Sequence, residues 1–306
     1  MSEMKLVVCG DSFTYGSEIV DPQFLEAPSK PHQINKFNGI IEEDTDAKND
    51  QYRIERIWPT YLKELIGAKE VINLAKPAVG NKWIFETLLN WLLENYIVPN
   101  KTPDDIIVVI GWTSIVRKEF FFNTHNKIYR KTLNSNGDFN KEEYGMREFF
   151  KWYLSVVQND YEGAYDFINY NFEIRTFCDK YGIPCYLFNA LPEEHHIYKM
   201  ERKFIDLNIM KWIDSFKYVE GIWGEDLYRM SKLKWDHVPE SNFLMKDKPS
   251  NSFLNYIKQI PLEERLYGVH PTPKSHKLWA ELLYEWISNG RGDLYTQNII
   301  KSSRLI

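Results

Sequence analysis

The sequence predicts an α/β protein: a doubly wound parallel sheet flanked by helices, with helical insertions. Four short runs, residues 5–9 (KLVVC), 71–74 (VINL), 106–110 (IIVVI) and 184–188 (PCYLF), are almost continuously apolar, the pattern of strands covered on both faces. Segments of helical periodicity separate them. The resulting β-α-β-α-β-α-β order belongs to a parallel sheet with crossover helices.

Taken along the chain, the first strand stops at Gly10. Residues 17–56 carry Pro22, Pro28 and Pro31 and an acidic run at 42–46 without clear periodicity, as a lid or a solvated loop does. A helix is expected at 59–66, and another at 82–96, where Ile84, Leu88, Leu92 and Tyr96 share a stripe. After the third strand, residues 114–170 break the rhythm with a helical patch at 142–157. The helix at 171–181 closes on Gly182 and leads into the fourth strand. Residues 192–266 again depart from it, with a helical patch at 199–216. The last helix, 273–287, starts with Pro271 and Pro273 and lines up Leu278, Trp279, Leu282, Leu283 and Trp286 on a core face. The reading is one domain over 1–306 with insertions at about 17–56, 114–170 and 192–266, and no internal repeat.

With 306 residues and 43% hydrophobic content, the chain can bury a sizeable core. Lys and Arg number 38 against 43 Asp and Glu, a net charge of -5, so no global basic field draws nucleic acid or acidic lipid and neither is expected as a partner. Cys9, Cys178 and Cys185 show no C-x-x-C spacing and suit a reducing compartment. The opening MSEMKLVVCG is too short in its apolar stretch for a signal peptide or a membrane span, which places the expected protein in the cytoplasm. Aromatic residues make up 15% of the chain; they stack on flat ligands such as sugars or, more simply, pack the insertions.

In open parallel sheets, ligands bind beyond the carboxyl ends of the strands. The four strands lead in turn into GDSFTYG (10–16), NLAKPAVGN (73–81), GWTS (111–114) and NALPEE (189–194), and YGVHP (267–271) precedes the last helix. These pieces hold a hydroxyl, an imidazole and glycine turns with unhindered amides, which are the parts of an acyl-transfer site.

In that order, GDSFTYG, NLAKPAVGN, the glycine after the third strand and GVHP before the closing helix resemble the sequence blocks of the SGNH hydrolases, also called the GDSL esterase/lipase family. The likeness spans residues 5–114 and about 171–287. It implies a flavodoxin-like three-layer sandwich, Ser12 as nucleophile and His270 as general base. It also implies the backbone N–H groups of Ser12 and Gly80 as oxyanion-hole donors. No cofactor is expected, and no metal, because no compact set of His, Asp or Cys ligands stands at suitable spacing. The implied substrate is a small-molecule or carbohydrate ester such as an O-acetyl sugar, with acyl transfer to an alcohol as a neighbouring outcome. The rival is a non-catalytic ligand-binding or assembly protein on the same fold. The oligomeric state is left open.

Two positions depart from the family pattern. Thr113 stands where an oxyanion-binding Asn is usual, so either its shorter hydroxyl arm donates or Asn81 stands in. Tyr267 stands where the acid three residues before the histidine is usual, and a phenol offers no charge to an imidazolium. Glu263, Glu264, a backbone carbonyl, or a Ser–His dyad with no orienting group are the alternatives. Asp11 is read as bracing the turn, and Arg117 as clamping an anionic substrate or pairing with an acid. Trp112, with Phe13, Tyr15 and Trp83, either walls the pocket or packs the core. His276 is read as a packed, hydrogen-bonded core residue, and His195 and His196 as solvated loop residues without metal-ligand spacing. Neither a G-x-x-x-x-G-K-[ST] nor a G-x-G-x-x-G motif stands after any strand, which sets nucleotide binding aside.

Overall fold

A computed structural model describes residues 4–21, 43–100, 105–124, 127–133, 144–153, 160–191, 193–196, 202–205, 209–219, 223–246, 252–267 and 270–291. The chain runs β1 (Lys5–Gly10), a single helical turn α1 (Ser12–Tyr15), α2 (Glu43–Ile54), α3 (Trp58–Ile66), β2 (Glu70–Asn73), α4 (Asn81–Leu92) and β3 (Ile106–Trp112). It continues as β4 (Lys118–Thr124), β5 (Lys127–Leu133), α5 (Tyr144–Trp152), α6 (Asp160–Lys180), β6 (Cys185–Asn189), β7 (Glu193–His196), β8 (Arg202–Ile205), α7 (Ile209–Ser215) and α8 (Gly224–His237). It ends with α9 (Phe253–Tyr256), α10 (Leu262–Arg265), β9 (Leu266–Tyr267), β10 (His270–Pro271) and α11 (Pro273–Trp286).

The four apolar runs form one parallel sheet in the order β2-β1-β3-β6. Successive side chains of a strand point to opposite faces, so each strand feeds two cores. Val7, Cys9, Val108, Ile110 and Leu187 pack under α4, α6 and α8, through Leu88, Phe167 and Trp235 among others. Leu6, Val8, Val109, Tyr186 and Phe188 pack under α3 and α11, through Trp58, Leu62, Trp279 and Leu283. Burial on both faces, worth about 1.5–3 kcal/mol per large side chain, is why these strands read as unbroken apolar runs. The doubly wound α/β fold is therefore present.

The helices start and stop where local chemistry directs. In α3 a proline stands in the first turn and Gly67 closes the end at φ 74°, its N–H donating to the Lys63 carbonyl. In α11 the Thr272 side chain accepts the Ser275 N–H and Pro273 opens the helix. Beyond β6, isolated bridges from Leu187 to Phe243 and from Asn189 to Ser252 cover the sheet edge.

The insertions differ from expectation. Residues 114–170 contain an antiparallel hairpin, β4–β5, that the sequence did not announce, and α6 begins at Asp160 rather than at 171. Within 199–216, expected to be helical, β8 pairs with β7, and among the described residues the helix is confined to α7 and the 3-10 turn that begins at Phe216. Of residues 17–56, the stretch 22–42 lies outside the described residues, and α2 comes after it as a helix that no periodicity announced.

Candidate active site

Because the strands are parallel, the segments after β1, β2, β3 and β6 gather at one sheet edge. Gly10 and Gly111 face each other there in register. A Cβ on Gly10 would meet Thr14 Oγ1 at 2.2 Å, so the missing side chain is what lets the Ser12 turn sit on the strand ends. Asp11 caps that turn: its Oδ1 accepts the Phe13 N–H at 2.9 Å. Gly16 ends it at φ 83°, with its N–H on the Ser12 carbonyl at 2.9 Å. From outside, Arg53 of α2 donates to the Tyr15 carbonyl and lies over the Tyr15 ring, its guanidinium carbon 3.7 Å from the centroid. Ser12 itself is buried.

The other end of the chain meets this turn. The short β9–β10 hairpin pairs His270 with Tyr267 and sets β10 against α1. The His270 imidazole lies 5.6 Å, centroid to centroid, from the ring of Phe13, the residue next to Ser12. Glu18, two residues beyond the turn's closing glycine, reaches the same histidine. Its Oε2 accepts the His270 backbone N–H at 3.2 Å and lies 3.1 Å from Nδ1. The Nδ1 approach is a close contact rather than an aligned hydrogen bond.

Several residues expected as donors have other partners. Thr113 Oγ1 donates to Asp11 Oδ2 at 2.7 Å, and Arg117 Nη1 donates to the same oxygen at 3.2 Å and to the Val79 carbonyl at 3.3 Å. The fully buried Asp11 carboxylate is thus satisfied on both oxygens. Asn81 spends its amide on the Thr113 backbone: Nδ2 donates to the carbonyl at 3.1 Å, and Oδ1 accepts the N–H at 2.8 Å. This pair pins the start of α4 to the end of β3. The Gly80 N–H donates to Glu119 Oε1 at 3.0 Å.

Trp112, read as either walling the pocket or packing the core, is fully buried against Phe167 in the core beneath α4 and α6. Phe13 is buried between His270 and Phe253. His276 is fully buried on α11, its Nδ1 accepting the Trp58 N–H at 3.2 Å. Burial, with His270 nearby as a second cause, holds the His276 pKa down to about 3, so it is neutral and no second base. Cys9 is pushed up to about 12 by burial and stays a thiol. The side chains of Tyr267, His195 and His196 lie outside the described residues.

A cavity of about 360 Å³ opens beside Gly80, lined by Asn81, Arg117, Glu119, Tyr153, Asp166 and Tyr170 among others. Among the described residues, no group of three or more His, Cys, Asp or Glu is placed to hold a metal ion. Among them also, no helix is long and apolar enough to cross a membrane.

Residues 40–233 match the model of a family described as "Family of unknown function (DUF6071)". The chain belongs to that family. In this DUF6071 member the matched segment includes Gly80, Thr113, Arg117 and Glu119, while Ser12, Glu18 and His270 fall outside it. No curated protein matches the chain. Among solved structures, one similar chain is assigned as a lipolytic protein of the G-D-S-L family from Desulfitobacterium hafniense DCB-2. It is 13% identical at a TM-score of 0.39, over 92% of this chain and 99% of that one. Another is a carbohydrate esterase whose active site displays divergent catalytic and non-catalytic binding functions. It is 11% identical at a TM-score of 0.42, over 95% of this chain and 67% of that one. Neither likeness is close enough to assign an activity.

Sequence reasoning missed Glu18, Glu119 and Arg53. Each is polar, lies in an insertion or at its border, and acquires its role only through a partner distant in the chain.

Proposed function

We propose that this DUF6071 chain is a serine-dependent hydrolase of small acyl esters, with Ser12 as nucleophile and His270 as general base. The observation that carries the reading is the meeting of the two chain ends: the Ser12 turn and the His270 hairpin pack together at the carboxyl edge of the sheet, joined by Phe13 and Glu18. A serine hydroxyl is a weak nucleophile at neutral pH and needs such a neighbour.

In this reading His270 Nε2 takes the Ser12 Oγ proton as Oγ adds to the ester carbonyl. The resulting oxyanion is held by backbone N–H groups, those of Ser12 and Gly80 being the candidates. Collapse of the intermediate breaks the ester C–O bond, and the imidazolium proton leaves with the alcohol. Water, deprotonated by His270, then attacks the acyl-enzyme and releases the acid. An O-acetylated carbohydrate is the proposed substrate class. That narrower part rests on the SGNH resemblance and the aromatic-rich insertions.

One observation favours a second reading, a binding protein that does not turn over. The Gly80 N–H and the Thr113 hydroxyl, two of the expected oxyanion donors, are engaged by Glu119 and Asp11. Turnover of an aryl acetate by the wild-type chain, Ser12→Ala and His270→Ala separates the two. The hydrolase reading expects activity lost to a similar degree in both variants, because the pair acts as a unit. Activity surviving in Ser12→Ala removes Ser12 as nucleophile.

A further inference from the structure

We infer that Glu18 is the carboxylate that positions His270, so that the acid of this site comes from the nucleophile side of the fold rather than from the strand before the histidine. The inference rests on the reading of Ser12 and His270 as a nucleophile–base pair.

The geometry is specific. One carboxylate oxygen, Glu18 Oε2, is shared by the backbone N–H and the Nδ1 of the same histidine, at 3.2 and 3.1 Å. It therefore ties down the main chain that carries the imidazole and lies against the Nδ1 edge of the ring. A carboxylate facing Nδ1 selects the tautomer with the proton on Nδ1, which leaves Nε2 with its lone pair for the serine proton. When that proton arrives, the imidazolium charge forms beside a carboxylate whose side chain is 4% exposed, where water screens little. His276, which also lies near His270, is held neutral by its burial and so brings no second charge to this histidine. The contact's lack of alignment matches the loose catalytic hydrogen bonds common in ligand-free sites, which tighten when substrate binds.

The backbone supports the same assignment. Glu18 adopts φ 66°, a left-handed conformation that is strained for a non-glycine residue and persists where surrounding structure enforces it. Here the enforcement is visible. Ile19 is buried and its carbonyl accepts from Asn49 Nδ2 at 3.1 Å, while Asn49 Oδ1 accepts the Asp21 N–H at 2.9 Å. Helix α2 thus clamps residues 19–21 and keeps Glu18 in its strained turn. With Ser12 and Glu18 only six positions apart, one rigid turn presents the nucleophile and the positioning acid together. Tyr267, at the position where the resembled family carries its acid, need not supply a charge.

The test is the rate at which a fluorophosphonate labels Ser12 in Glu18→Gln, Glu18→Gly and Glu18→Asp. It is paired with the low-field proton resonance of the His270 imidazole, identified by its absence in His270→Ala. Glycine relieves the φ 66° strain, so Glu18→Gly separates loss of the carboxylate from failure to fold. The expected result is labelling slowed about 100- to 10,000-fold in Gln and Gly variants that melt no lower than wild type, partial recovery in Glu18→Asp, and loss of the imidazole resonance in the first two. Labelling of Glu18→Gly at the wild-type rate overturns the inference. If the wild-type chain takes no label, the nucleophile reading fails separately. The resonance then still decides, since its persistence in Glu18→Gln overturns the positioning role.

Discussion

The backbone N–H of Gly80 donates to the Glu119 carboxylate, 3.0 Å away. If Gly80 is an oxyanion donor, Glu119 stands in the place that a developing oxyanion must take. Glu119→Ala then frees the donor and raises kcat on an aryl acetate. One such donor is worth about 100- to 1000-fold, which sets the ceiling of the expected gain. Steady-state kinetics check this, and a kcat that falls or stays unchanged removes Gly80 from the oxyanion hole.

Thr113 distinguishes a brace from a catalyst. Its hydroxyl bonds the buried Asp11 carboxylate at 2.7 Å, so Thr113→Val is expected to lower stability by roughly 2 kcal/mol, the worth of a hydrogen bond to a charged group. Turnover should stay near wild type. A urea titration and kcat measured side by side decide the matter: a 100-fold loss of rate at unchanged stability would show the hydroxyl acting on the oxyanion instead.

His276 makes stability fall in acid. An unfolded histidine titrates near 6.5, whereas buried His276 is held down to about 3. Between those values the unfolded chain binds a proton that the folded chain does not, so stability drops as pH falls from about 6.5 toward 3, by about 1.4 kcal/mol per unit. Above 6.5 the residue contributes no pH dependence. Urea midpoints at about pH 7 and about pH 5 should therefore converge in His276→Gln relative to wild type. An equal fall in both proteins contradicts this origin.

The sheet was legible because β1, β3 and β6 are buried on both faces, which leaves unbroken runs such as IIVVI at 106–110, while the half-buried edge strand β2 keeps an apolar Val71 and Ile72 for the two cores. Helix α11 was legible from its proline start and its tryptophan-lined face. The hairpin β4–β5 was not: its two-residue connection carries no glycine to signal a tight turn, and Phe121 on its surface is exposed. Helix α2, EDTDAKNDQYRI, is polar nearly all round and gives no stripe to read. Of the candidate site, the approach of the Ser12 turn to His270 could be expected from strand-end position and family likeness. The contact of Glu18 with His270 could not, because the two stand 252 residues apart and no local spacing ties them. Thr113 and Asn81 were both read as candidate donors, yet their polar atoms bond Asp11 and the backbone of Thr113. That division depends on how β3 and α4 abut, which no single segment encodes.

Activation of the Ser12 hydroxyl by His270 is tested most directly by treating the native chain with a fluorophosphonate and mapping the modified peptide by mass. Such activation predicts a single adduct on the peptide containing Ser12, absent from His270→Ala. No adduct, an adduct on another residue, or undiminished labelling of Ser12 in His270→Ala would contradict it.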